Sequence, residues 1–271
     1  MFTVTRIINT LKLGGLWLSL CLICIATIIG KNITFILPFV VVFWVLKSKD
    51  LPNISKWLTW LYLPLVIAVS VFLKVDLHAV TWDYAAISRS AIDNVGHSMT
   101  EIDRSDYLLR YPYNGTYVIL MKGIATLCIY TDVDYSTALA IIGGLCIWIA
   151  YFFTTKSVSL IQGVKTQVIV QILWISFLPF YQYAPVLYSD TITLSFAALA
   201  FFLFLKSMNY NGVFPIKLLL MVGMGFTISV GALFKSTIII LPVAFFIYIV
   251  IQKKYLNLLI PDYSSRQTKT R

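Results

Sequence analysis

Apolar residues in this chain come in long runs separated by short polar joints. They show neither the two-residue alternation of a half-buried strand nor the narrow stripe of a surface helix. The runs lie near 14–30, 33–47, 57–73, 136–153, 168–188, 190–205, 218–234 and 236–251. Each approaches the roughly 20 residues that carry a helix across a hydrocarbon core about 30 Å thick. The pattern predicts an all-α, polytopic transmembrane bundle of about eight spans. Several runs are short, so their helices are expected to stand upright or to sit in a locally thinned bilayer.

A further run at 115–130, GTYVILMKGIATLCIY, is apolar enough to cross as well. The distribution of basic residues argues otherwise. Lys47, Lys49 and Lys56, then Lys156 and Lys165, then Lys206 and Lys217, then Lys253, Lys254, Arg266, Lys269 and Arg271 fall in joints that the positive-inside bias assigns to the cytoplasm. Both flanks of 115–130 then lie outside. The expectation is an interfacial or re-entrant helix there, with Lys122 reaching back to the headgroups. This topology makes fourteen of the 21 basic residues cytoplasmic and leaves nine of the eleven acids on the external face.

Residues 1–251 are read as one transmembrane domain that includes an external loop at 74–135, and 252–271 as a polar cytoplasmic tail. The basic N-terminus, MFTVTRIINTLK, leads into an apolar run without a small-residue cleavage site, which predicts a retained first span. The expected location is the cell membrane, multi-pass, with both termini cytoplasmic.

Composition agrees with a membrane protein: 59% of residues are hydrophobic and 12% charged, with a mean hydropathy of +0.87, against about a quarter charged in soluble domains. The net charge of +10 sits in joints between apolar runs, where it orients spans and calls for no nucleic acid. Cys21, Cys24, Cys128 and Cys146 all fall inside apolar runs and read as small apolar residues. Gly143, Gly144, Gly223 and Gly225 read as close helix-packing positions. His78 and His97 lack zinc-ligand spacing, and no nucleophile elbow or phosphate-binding glycine loop is present.

Ionisable chemistry is concentrated instead in one stretch: six of the eleven acids lie between Lys74 and Asn114. Asp83, between Trp82 and Tyr84, is a candidate general base held at the headgroup level. Asp93, Glu101, Asp103 and Asp106 compete for that role, and Asp103 with Asp106 would share a helix face able to offer oxygen ligands to a divalent cation. Asp190 stands at the external junction of two apolar runs, where an acid either faces a cavity or caps the following helix. Lys235, Arg89, Arg104 and Arg110 are candidate phosphate ligands. Tyr111, Pro112 and Asn114 form a turn before the 115–130 helix.

WDY at 82–84, DYLLRYPYN at 106–114, YSDT at 188–191 and GALFKST at 231–237 together resemble the polytopic GT-C-type glycosyltransferases, and within them bacterial relatives of dolichyl-phosphate-mannose protein mannosyltransferases. The resemblance covers roughly residues 75–250. It implies transfer of a sugar from a polyprenyl-phosphate donor to a glycan, lipid or protein acceptor on the external face, within membrane lipid. It further implies Asp83 as general base, Asp190 as a second external acid and Lys235 as a donor-phosphate ligand, with Arg89 and Arg110 added as phosphate ligands on the chemistry of their guanidinium groups. Asp103, Asp106, Tyr111, Pro112 and Asn114 would form the supporting loop. The tyrosine-proline motif departs from the YPNN of many relatives by having Tyr113 at its third position. Relatives carry further spans and often an external C-terminal domain, so the resemblance also implies a short or truncated member.

No resident cofactor is called for beyond the divalent cation already named. The alternatives are a polysaccharide polymerase or ligase, or a non-enzymatic flippase or transporter of lipid-linked sugars. A transporter is expected to hold charge on broken helices near the bilayer midplane, whereas the charges here gather at the ends of the apolar runs.

Overall fold

The computed structural model of the chain describes residues 41, 42, 45, 47, 48, 50–77, 83–93, 95, 96, 111 and 114–251. Regular structure among them is helical, with no strand. Helix α1 spans Leu51–Phe72, with Pro52 in its first turn, where the missing N–H would have had no intrahelical partner. Two shorter helices follow, α2 at Asp83–Asp93 and α3 at Gly115–Thr131. The long element α4, Tyr135–Ile175, is two helical limbs joined at Gly163. Then come α5 (Leu178–Tyr183), α6 (Ser189–Asn209), α7 (Phe214–Phe234), a 3-10 turn at Ser236–Ile239 and α8 (Ile240–Ile251).

The reversal within α4 sets the topology. Gly163 adopts φ 81°, ψ 178°, a region that only a residue without Cβ enters freely. Limb 164–175 consequently runs back along limb 135–162, and α1 packs against both. Trp148 on the outgoing limb donates its indole N–H to the Thr59 carbonyl at 3.1 Å, and Gln171 on the returning limb donates to the Thr59 hydroxyl at 2.9 Å. Helix α6 descends beside the outgoing limb, tied by the Ser195 hydroxyl to the Cys146 carbonyl at 2.7 Å. Helix α7 climbs back along α6, and α8 closes on it through Phe204 and Phe245, stacked at 4.1 Å.

Glycine makes the closest approach possible. A Cβ on Gly143 would fall on the carbonyl oxygen of Ala184, and one on Gly144 would lie 2.9 Å from the Ser70 hydroxyl oxygen and 3.4 Å from Ile67 Cα. Adjacent glycines of α4 thus admit the 184–187 segment on one side and α1 on the other. Gly231 has the same role against Phe196. The reading of Gly225 as a packing position is corrected, because nothing lies within 4 Å of where its Cβ would be.

With this winding, the end of α1, the start of α4, the start of α6 and the end of α7 meet at one end of the bundle, here called the upper end. Lys74 pairs there with Asp134 at 2.8 Å, and Asp134 also accepts from the backbone N–H of Thr137 at 3.0 Å, capping α4. Helices α2 and α3 lie across the same end, packed on each other through Ile87, Ala91, Met121 and Ala125. Tyr117, in the first turn of α3, bonds the Leu187 carbonyl, and the Tyr135 hydroxyl reaches the Met121 carbonyl at 3.3 Å. Both halves of α3 therefore touch the upper end.

Four helices among the described residues, α1, α4, α6 and α7, are long and apolar enough to cross a membrane. The outer faces of α7 and α8 expose Leu219, Val222, Phe226, Ile240 and Phe246, as hydrocarbon-facing helices do. The expected continuous span at 168–188 is not formed. Phe177 is extended and Pro179 sits in the first turn of α5; in a continuous helix its ring would clash with the Ile175 carbonyl and leave that carbonyl without its N–H, and Pro185 interrupts the chain again. The expected span at 236–251 is a 3-10 turn followed by a 12-residue helix. The runs at 14–30 and most of 33–47 lie outside the described residues, and of the eight expected spans the described residues show four helices of spanning length.

Two predictions follow from this packing. Gly143→Ala should destabilise the detergent-solubilised protein by about 1–3 kcal/mol through overpacking, whereas Gly225→Ala should be neutral or stabilising by up to about 1 kcal/mol; thermal unfolding of both variants checks this. The second concerns Asp134, whose carboxyl is lowered to about 2, first by its hydrogen bond from Lys74 and then by that from Thr137. A lowered carboxyl stabilises the fold above its ordinary range, near 4, and loses that contribution as pH falls through about 2. Asp134→Asn keeps a capping side chain but loses the charge. It should therefore be less stable than wild type at pH 7 by about 0.5 kcal/mol, given the exposure of the pair, and the gap should close between about pH 4 and pH 2 in the same assay.

Candidate functional site

The irregular segment between α5 and α6 is the foundation of the site. Residues 184–187 are buried but not helical, so their carbonyls need partners that the backbone ladder does not supply. Side-chain hydroxyls reach three of the four, and the Tyr188 N–H also bonds the Val186 carbonyl at 2.8 Å. Tyr84 of α2 reaches the Pro185 carbonyl at 3.5 Å, Thr191 bonds the Val186 carbonyl at 3.0 Å, and Tyr117 of α3 donates to the Leu187 carbonyl. Burial pushes the Tyr84 phenol above its ordinary range, so it stays a protonated donor. These contacts fix α2 and α3 to the start of α6.

A cleft of about 720 Å³ opens over this segment. Asp83 and Asp190 both line it, together with the hydroxyl-bearing Tyr84, Tyr188 and Thr191. Its deeper wall is apolar, formed by Ile147, Phe180 and Leu194. Each acid lies in the first turn of a helix, Asp83 in α2 and Asp190 in α6, where the helix dipole favours a negative charge. The reading of Asp190 as a helix cap is corrected: the capping position is Tyr188, in extended conformation, and Thr191 turns its hydroxyl back to Val186.

Lys235 completes the cluster. It is extended between α7 and the 3-10 turn, and its ammonium pairs with the Asp190 carboxylate. The two side chains are 36% and 58% exposed, so the pair is solvated and exchangeable, of the kind worth about 0.2–1 kcal/mol. A cation held this loosely beside a cleft can be taken over by an incoming anion. The arrangement offers two carboxylates lining an apolar-walled hollow and one ammonium held beside it by Asp190, outside the lining itself, and suits a ligand with a polar head and a hydrocarbon body.

Asp83, Asp190 and Lys235, singled out in the sequence, are thus brought together. Arg89 is not: it lies about 120° around α2 from Asp83, is half-buried and does not line the cleft. Tyr111 is exposed, and Asn114 is buried at the start of α3 without a side-chain cap bond. Arg104, Arg110, Pro112, Glu101, Asp103, Asp106, His78 and His97 lie outside the described residues. Among the described residues no group of three or more His, Cys, Asp or Glu side chains is positioned to hold a metal ion. The sequence marks Tyr84 only as an aromatic flank of Asp83 and does not single out Tyr117; their shared role as clamps on the 184–187 carbonyls comes from the fold.

A second hollow of about 440 Å³ lies between α2, α3 and the start of α4, lined by Cys128, Asp132 and Asp134 among others. Asp132 ends α3 in the left-handed region, at φ 55°. Asp134 is already engaged with Lys74 and Thr137, which makes this hollow part of the joint between α1 and α4.

No protein-family model matches the chain, and no curated protein or solved structure matches it significantly.

Proposed function

We propose that this protein is a multi-pass membrane glycosyltransferase of GT-C type that moves a sugar from a polyprenyl-phosphate donor to a cell-envelope acceptor at the outer face. The observation that carries the reading is the cleft shared by Asp83 and Asp190, with Lys235 paired to Asp190 beside it, at one end of an apolar bundle. Charge distribution supports the orientation. Among the described residues the lower end has Lys47, Lys56, Lys156, Lys165, Lys206 and Lys217 against Asp50. The upper end has Lys74, Arg89, Lys122 and Lys235 against Asp76, Asp83, Asp93, Asp132, Asp134 and Asp190. The positive-inside bias puts the lower end in the cytoplasm and the cleft at the outer leaflet, with α3 lying at the interface.

In this reaction the isoprenoid body of the donor stays in hydrocarbon and lies against Ile147, Phe180 and Leu194, while its phosphate reaches Lys235. The ammonium exchanges Asp190 for the phosphate and stabilises the charge that grows on the leaving oxygen. Asp83 takes the proton of the acceptor hydroxyl as that oxygen forms its bond to the anomeric carbon. The bond from that carbon to the phosphate oxygen breaks, releasing polyprenyl phosphate. Holding both reactants in one cleft supplies the remaining rate gain through positioning.

Membranes containing the protein, incubated with radiolabelled polyprenyl-phosphate sugars, should transfer label to envelope material. Asp83→Asn should reduce the rate by about 10²–10⁴-fold, and Lys235→Met should raise the KM for the donor as well as lower kcat. Equal transfer by wild type and both variants would remove the assigned roles, and movement of labelled lipid across the bilayer without transfer would favour a flippase. Orientation has its own check. In a background lacking the native cysteines, Tyr111→Cys and Val133→Cys should both react with an impermeant thiol reagent from outside, and Lys165→Cys should not. Labelling at only one of the first two would make α3 a crossing helix.

A further inference from the structure

A second polar cluster, unconnected with the cleft chemistry, is buried between α1 and the two limbs of α4. Ser55, Thr59 and Tyr62 of α1 meet Tyr151 of the outgoing limb and Gln171 and Trp174 of the returning one. Tyr62, Tyr151 and Gln171 are completely inaccessible. Part of the cluster is internally bonded: the Gln171 amide donates to the Ser55 carbonyl at 3.1 Å and to the Thr59 hydroxyl at 2.9 Å. The other polar atoms are not. Tyr62 Oη, Tyr151 Oη, Gln171 Oε1 and Trp174 Nε1 have no hydrogen-bond partner among the described residues.

These four atoms belong to neighbouring side chains. The Tyr62 and Tyr151 rings are 4.6 Å apart and those of Tyr151 and Trp174 6.1 Å apart. The Trp174 indole lies beside the Tyr62 phenol, and Gln171 and Thr59 lie beside the Tyr151 phenol, without forming hydrogen bonds of good geometry. A bilayer offers no solvent to repair such a deficit from outside, so an interior set of unmatched polar groups is costly unless something bridges it. The inventory is complementary to one kind of molecule. Trp174 Nε1 only donates, Gln171 Oε1 only accepts, and each phenol does both. A water accepts two bonds and donates two, and buried waters typically make about three.

We infer that this cluster is a water-binding site, in which about one or two buried waters join Trp174 and Tyr62 to Tyr151 and Gln171. The site is sealed from the cleft above by Val66, Ile147 and Ala184, which pack with the two tyrosines in one cluster. It holds the returning limb of α4 against α1 through polar contacts at a depth where apolar packing alone gives little selectivity between registers.

X-ray hydroxyl-radical footprinting of the detergent-solubilised full chain, with mass-spectrometric readout, tests this, because radicals formed from bound water oxidise the side chains beside it. Tyr117 is the internal control, being equally inaccessible but with its hydroxyl bonded to the Leu187 carbonyl. Tyr62 and Tyr151 should be oxidised several-fold faster than Tyr117, and after rapid mixing with ¹⁸O-water the heavy isotope should enter their products slowly. Tyr62→Phe should reduce oxidation at Tyr151. Protection of both tyrosines equal to that of Tyr117 would mean a dry network closed by direct bonds and would overturn the inference. Immediate ¹⁸O incorporation would mean an open crevice and would overturn it equally. The wild-type measurement decides the matter even if the variant fails to fold.

Discussion

The contact on which the rest of the structure depends is the passage of main chain across Gly143 and Gly144. Without a Cβ at either position, the outgoing limb of α4 lets the Ala184 carbonyl on to one face and α1 on to the other. Moving the 184–187 segment outward by the width of a methyl group would carry the Pro185 and Leu187 carbonyls away from Tyr84 and Tyr117. It would also shift the first turn of α6, and Asp190 with it. The cleft is therefore a consequence of backbone packing in the bundle more than of local loop sequence. Close approach of small residues is the expected device in a bilayer, where no hydrophobic drive brings helices together.

Charge follows the same geometry. Because α4 doubles back at Gly163, the chain returns to the upper end at the joints that carry Asp76, Asp134, Asp190 and Lys235, and among the described residues the lysine-rich joints fall at the other end, where the one acid is Asp50. Among the described residues, polar atoms buried between the two ends are neutral, and most are bonded to main-chain carbonyls, as with Thr59, Ser70 and Ser195. The cleft has access to ionised side chains only at its mouth, and its apolar wall is continuous with the interior. That gradient favours an amphiphilic ligand over a wholly soluble one, and favours chemistry at the end of the bundle over conduction through it.

The sequence made the helices legible wherever an apolar run was uninterrupted. α1, α6 and α7 lie close to the predicted runs, and 115–130 forms the expected helix at nearly the expected bounds. It failed at 168–188, where run length was taken as evidence of a span although Pro179 and Pro185 lay inside it. Hydropathy measures the tendency to leave water and carries no information on where the backbone must bend. The site was legible as a set of charged residues out of place in apolar surroundings, which is how Asp83, Asp190 and Lys235 were found. Their convergence was not, because it depends on the antiparallel return at Gly163, a single glycine with no flanking signal. Arg89 shows the same limit from the other side, since one helical face separates it from Asp83 and sequence distance does not report that angle.

Tyrosine has two separate tasks that composition alone merges. The chain has 16 tyrosines, and the usual expectation in a membrane protein is a belt at the interfaces. Tyr130 and Tyr183, largely exposed at the upper end, fit that expectation. Tyr84, Tyr117 and Tyr135 do not: they are buried, and their hydroxyls supply donors to main-chain carbonyls of the 184–187 segment or of α3. A phenol suits this use because its ring fills apolar space while its one donor reaches an atom the helix ladder has left bare. Where no carbonyl is within reach, as for Tyr62 and Tyr151, the same side chain brings the same unmet donor into the bundle, and the requirement must be met by something small enough to enter with it. The irregular segment beneath the cleft and the polar cluster below it are thus two solutions to one constraint, that in a membrane every buried polar atom must find its partner inside the protein.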